Sequence, residues 1–142
     1  MGDKSTANCV LVGLGQMGWR YDVEQDAVLT HAKAISQHAQ LQLIAAVDSN
    51  AHARAEFSRA YPAVPTFASL ADVAANVAAV TAVDWIILAL PTQLHFAAFN
   101  EALSLNPKVI ICEKPLATSF LEAREMQRLA EAQGVLLFVN YI

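Results

Sequence analysis

The sequence predicts a three-layer α/β fold (α/β/α) built on a doubly wound parallel sheet. Three observations predict it: short apolar runs recur along the chain, helix-like stretches rich in Ala, Leu, Glu and Arg separate them, and the first run ends in a glycine-rich loop. Strands that are apolar throughout, rather than alternating, belong in a sheet covered on both faces. Strict alternation of strand and helix implies right-handed βαβ crossovers.

In chain order, Val10 to Val12 is the first β-branched run and leads straight into Gly13. A helix is predicted at about His31 to His38, then a strand from Leu41 to Val47 closed by Asp48. Ala51 to Tyr61 has helical composition, and a short strand fits Val64 to Phe67, limited by Pro62 and Pro65. A helix over Ser69 to Val77 precedes the strand Trp85 to Leu90, which Pro91 ends. The stretch Gln93 to Ser104 is helical, and Val109 to Cys112 forms the next strand, before Glu113. The last helix, Ser119 to Gln133, has Ser119 as N-cap, Glu122 as its capping-box partner and Gly134 as its stop. Val135 to Val139 completes the sheet before Asn140.

A length of 142 residues fits one domain, and no repeat or linker divides it. The chain is 56% hydrophobic and 15% charged, against about 25% charged for an average domain, a surplus that fits a missing partner's interface. With 9 Lys+Arg against 13 Asp+Glu and a net charge of -4, it has no basic cluster to neutralise a run of phosphates, which argues against nucleic acid and anionic membrane as partners. Met1 to Asn8 lacks the apolar core of a signal peptide, and no run approaches the ~20 residues of a membrane span. A cytoplasmic protein is expected. Cys9 and Cys112 lie in strand-like runs without metal-ligand or redox spacing and read as small buried hydrophobes.

Gly13-Leu14-Gly15-Gln16-Met17-Gly18 has the GxGxxG spacing of a Rossmann dinucleotide loop. The first glycine makes the turn, the second admits a pyrophosphate to the backbone, and the third lets helix pack on strand. A following helix would offer free N–H groups to the phosphates. Asp48, followed by Ser49, is placed to accept hydrogen bonds from the adenosine ribose, which favours NAD, with NADP as the alternative; the competing role is capping the helix that begins near Asn50. Arg54 weakens the NAD preference because it can turn toward a 2′-phosphate. The acid ordinarily lies about 20 residues past the loop, so the longer spacing here marks an insertion. It falls at Trp19 to Thr30, delays the helix, and either is a surface excursion or brings Trp19 or Tyr21 to the mouth of the site.

Glu113-Lys114-Pro115-Leu116, together with the glycine loop, Pro91-Thr92, His95 and His31, resembles the glucose-fructose oxidoreductase, inositol dehydrogenase and MocA (Gfo/Idh/MocA) family along essentially the whole chain. The resemblance implies an N-terminal NAD(P)-binding domain of an oxidoreductase that moves a hydride between the nicotinamide and a sugar, polyol or related hydroxyl compound. It makes Lys114 the catalytic residue, hydrogen-bonded to the reacting oxygen and stabilising developing negative charge. Leu90, Pro91, Thr92 and Gln93 would line the cofactor, with further contacts from His95, Glu113 and Asn140. Glu113 either orients Lys114, touches the nicotinamide side, or starts a helix. His38 and His52 read as surface residues.

The family pattern continues into a second α/β domain carrying the substrate pocket and most of an oligomer interface, and residues 1–142 hold only the first domain, so the isolated chain is expected to bind cofactor without turnover. No metal-ligand cluster, Ser/His/Asp triad or Walker loop is present. Two rivals remain: a noncatalytic dinucleotide-sensing module, which has no need of Lys114 beside Pro115, and a methyltransferase, whose glycine loop also precedes an acid.

Overall fold

The computed structural model describes residues 5–141. Six parallel strands form one sheet in the order β3-β2-β1-β4-β5-β6. They are β1 (Ala7–Val12), β2 (Leu41–Val47), β3 (Thr66–Phe67), β4 (Trp85–Leu88), β5 (Val109–Glu113) and β6 (Leu136–Asn140). The helices are α1 (His31–Gln37), α2 (Ala51–Ala60), α3 (Leu70–Val73), α4 (His95–Leu103) and α5 (Phe120–Gln133). The predicted α/β class and all six strands are present, and the strand order reverses between β1 and β4.

Alternation of side chains along each strand sorts the core into two layers. Cys9 and Leu11 of β1 face Ala32 and Ile35 of α1 and Phe57 of α2. Val10 and Val12 face the other way, into a cluster with Leu70, Phe99 and Met126 of α3, α4 and α5. Phe57 and Phe99 are fully buried, and truncating such a side chain to alanine costs about 3–5 kcal/mol. Burial pushes the Cys9 thiol up to about 11 and the Cys112 thiol to about 12, so neither is a thiolate at neutral pH.

The apolar surplus has a definite place. Register pairs Ile111 with Phe138 and Val109 with Leu136, so these side chains share the face packed by α1 and α2, whose cluster reaches Ile87 of β4 and Ile111 of β5 but not β6. Leu136 is 60% exposed and Phe138 53%.

Local signals hold at most helix ends. Ser119 Oγ accepts from Glu122 N and Gly134 ends α5 at φ 69°, although Glu122 Oε2 bonds Thr118 Oγ1 rather than closing the capping box. Asn50 caps α2 by accepting from His52 N and Ala53 N. The glycine loop leads into a five-residue π-helical turn, Gln16–Arg20, and the first α-helix starts at His31, where the sequence predicts it.

Candidate active site

Because all six strands are parallel, their carboxyl ends share one edge, and the loops beyond them meet on both sides of the β1/β4 reversal. That reversal is where open α/β sheets hold ligands. Gly13 to Gly18 follow β1, Asp48 and Ser49 follow β2, and Leu90 to Gln93 follow β4. Glu113 and Asn140 end β5 and β6, and Lys114 is the next residue after β5.

The three loop glycines have separable duties. Gly13 has φ 100°, and a Cβ there would lie 2.3 Å from Ala89 O. A Cβ on Gly18 would lie 2.3 Å from Gly13 O. At Gly15 a Cβ would meet nothing within 4 Å, so the open space there lies above an exposed backbone, as an approaching pyrophosphate requires. Gln16 is exposed and Met17 half-buried, whereas the Leu14 side chain is in the core and offers only its backbone to the site. The loop runs into the π-helical turn rather than directly into an α-helix, so the N–H groups left without helical partners here are those at the start of the turn.

Asp48 joins the loop to β2. Its Oδ2 accepts from Leu14 N at 2.9 Å and its Oδ1 from Asn50 N at 2.8 Å. A carboxylate has about four acceptor positions, which leaves room for two ribose hydroxyls. Arg54 Nη1 donates to Asp48 O at 2.7 Å and Ser49 O at 3.1 Å, which sets the guanidinium beside the acid. Asp48, Ser49 and Leu90 border a cavity of about 240 Å³ with Leu70, Leu94 and Glu101. Sequence reasoning did not assign those last three to the site, although Leu94, Ala97, Ala98 and Glu101 recur at helical spacing and so share one side of a helix.

At the β5/β6 end of the same edge, Glu113 is buried, and its Oε1 is 2.5 Å from His31 Nε2 and accepts from Asn140 Nδ2 at 2.8 Å. It does not start a helix: α5 begins seven positions later, at Phe120. Lys114 is exposed beside it, followed by a cis bond to Pro115.

His95 is corrected from a cofactor contact to an internal clamp. It has no exposed surface; Nε2 is 2.7 Å from Leu90 O and Nδ1 is 3.1 Å from both Pro115 O and Leu116 O. It thereby ties the loop after β4 to the turn that carries Lys114. Pro91 and Gln93 are exposed and Thr92 is half-buried, which leaves them free to line a ligand.

Trp19 does not reach the mouth of the site. Its Nε1 donates to Leu14 O at 3.0 Å, and its ring meets Phe57 and Tyr61 edge-on. Tyr21 is exposed, as are His38 and His52. Among the described residues, no group of three His, Cys, Asp or Glu side chains is arranged to hold a metal, and no helix is long and apolar enough to cross a membrane.

Residues 7–141 match the family model described as an oxidoreductase family with an NAD-binding Rossmann fold, GFO_IDH_MocA. The WlbA dehydrogenase of Bordetella pertussis, solved with NADH and UDP-GlcNAcA, is 27% identical with a TM-score of 0.79 over 96% of this chain and 35% of its own. A putative oxidoreductase of Klebsiella pneumoniae is 26% identical with a TM-score of 0.75 over 95% of this chain and 34% of its own. An uncharacterised oxidoreductase of Schizosaccharomyces pombe is 30% identical over 80 residues, 56% of this chain and 20% of that protein. The chain therefore spans about a third or less of the length of these relatives.

Proposed function

This chain belongs to the Gfo/Idh/MocA oxidoreductase family and carries its NAD-binding Rossmann fold, and from that premise we propose that it is the cofactor half of an NAD(P)-dependent dehydrogenase acting on a sugar, polyol or related hydroxyl compound. The observation that carries the proposal is the convergence of Gly15, Asp48, Pro91 and Lys114 on one sheet edge, on both sides of the strand-order reversal. The sugar nucleotide bound to the Bordetella enzyme supports the substrate class.

Gly15 and the N–H groups of the turn after it take the pyrophosphate, and Asp48 takes the adenosine ribose, with the cavity beside it for the adenine. The nicotinamide, when bound, supplies or accepts a hydride at the substrate carbon. Lys114 donates a hydrogen bond to the substrate oxygen and stabilises its negative charge, a task suited to a compact ammonium that no carboxylate among the described residues pairs with. Glu113 Oε1 is already engaged by His31 and Asn140, so the lysine keeps its charge for the substrate. His95 holds the lysine turn against the loop after β4. The substrate pocket, the homo-oligomer interface and a cytoplasmic location complete the proposal.

Calorimetric titration of this chain with NADH, NADPH and S-adenosylmethionine tests it. NADH is expected to bind more tightly than NADPH, and S-adenosylmethionine not at all. A folded sample that binds neither dinucleotide at millimolar concentration overturns the proposal. In a protein that also carries the substrate half, Lys114→Ala is expected to lower turnover far more than NADH affinity.

A further inference from the structure

The inserted segment between the π-helical turn and α1 is built around one carboxylate. Asp22 is 1% exposed, and its Oδ2 accepts from Leu29 N at 2.7 Å and Thr30 N at 2.8 Å, while its Oδ1 accepts from Thr30 Oγ1 at 2.9 Å. Thr30 is also buried and caps α1 by accepting from Lys33 N. Lys33 Nζ returns to Asp22 O and Gln25 O, which closes the segment from its other side. The next residue is His31, whose ring reaches 82 positions along the chain to Glu113.

We propose that Asp22 is a positioning residue for the nicotinamide end of the site. It folds residues 21–30 into a strap that seats His31 on Glu113, the residue immediately before Lys114. The inference rests on the cofactor site proposed above. A buried carboxylate with three donors fixes both the entry of α1 and the rotation of its first residue, because the same oxygens take the N–H and the hydroxyl of the residue before it. His31 and Asn140 then hold one oxygen of Glu113 from two sides, so its carboxyl plane is set before any ligand arrives. An insertion with no such task would have no need to bury an acid and a threonine together.

Two readouts on the 142-residue chain test this. The proton in the short His31–Glu113 hydrogen bond should give a far-downfield imidazole resonance, assigned by its loss in Glu113→Gln. Asp22→Ala removes the acceptor of both N–H groups and of the hydroxyl and is expected to shift or abolish that resonance. It should also weaken NADH about tenfold while ADP, which ends before the nicotinamide, changes less than twofold. Thr30→Val removes the hydroxyl bond to Asp22 and the side-chain cap of α1 while the backbone N–H of residue 30 stays on the carboxylate, and is expected to produce the same changes at smaller size, which covers the case in which Asp22→Ala does not fold. A folded variant with an unchanged resonance and an unchanged NADH-to-ADP ratio overturns the proposal. Wild-type protein that binds no NADH sinks the cofactor site while the resonance still tests the strap.

Discussion

The two glycines at the start of the loop differ in what a single methyl group does to them. Gly13→Ala places a Cβ 2.3 Å from Ala89 O and 2.7 Å from Ala89 C, at a φ of 100°. Both atoms are backbone at the end of β4 and cannot rotate away. The positive φ costs about 1–2 kcal/mol and the overpacking about 1–3 kcal/mol. A loss of about 2–5 kcal/mol lowers Tm by roughly 5–15 °C for a chain of this size. Gly15→Ala meets nothing within 4 Å and has φ -89°, which any residue adopts. Reduced freedom of its unfolded chain should raise stability by about 0.4–1 kcal/mol. The new methyl nevertheless fills the space assigned to the pyrophosphate, and NADH affinity should drop at least tenfold, about 1.4 kcal/mol. Scanning calorimetry and NADH fluorescence titration on the two variants give both quantities. The reasoning is refuted if Gly15→Ala melts as low as Gly13→Ala, or if it binds NADH as wild type does.

Two further outcomes follow from the carboxylates. Asp48→Ala should weaken NADH about tenfold and NADPH less, because the acid favours ribose hydroxyls over a 2′-phosphate and Arg54 stays on the carbonyls of Asp48 and Ser49; equal losses for both dinucleotides in parallel titrations would remove Asp48 from cofactor selection. At the opposite edge of the sheet, the hydrogen bond from Asn8 N and the Lys108 ammonium hold the Asp84 carboxyl below the usual carboxylate range. A lowered native pKa gives stability that is present above the unfolded value of about 3.9 and is lost as pH falls through the native one. Urea unfolding at pH 7 and pH 3 should therefore show a smaller acid loss in Asp84→Asn than in wild type, and identical losses would contradict the assignment.

Much of this protein is written locally. The apolar runs and the helix caps at Asn50 and Ser119 specify strands and helix starts because they depend on neighbours within a few residues. Gly13 is legible for the same reason, since a turn after β1 needs a positive φ. The family motif at Glu113 to Pro115 marks the site, because a strand that ends in ionisable residues sets them at the sheet edge. What stayed hidden depends on residues far apart in the chain. Nothing local distinguishes Trp19, packed on Phe57 and Tyr61, from a surface aromatic. His95 looks equally suited to ligand or core until the carbonyls of Leu90, Pro115 and Leu116 surround it. Asp22 reads as one acid among several in a polar stretch, and His31 and Glu113 lie 82 positions apart. The sequence by itself determined the sheet, the glycine loop and the places of the acid and lysine in the proposed cofactor track, because each is set by backbone conformation or strand position. Only the tertiary structure decided which polar side chains are spent on holding that track in place, because a hydrogen bond between distant residues exists only once the sheet has brought their loops together.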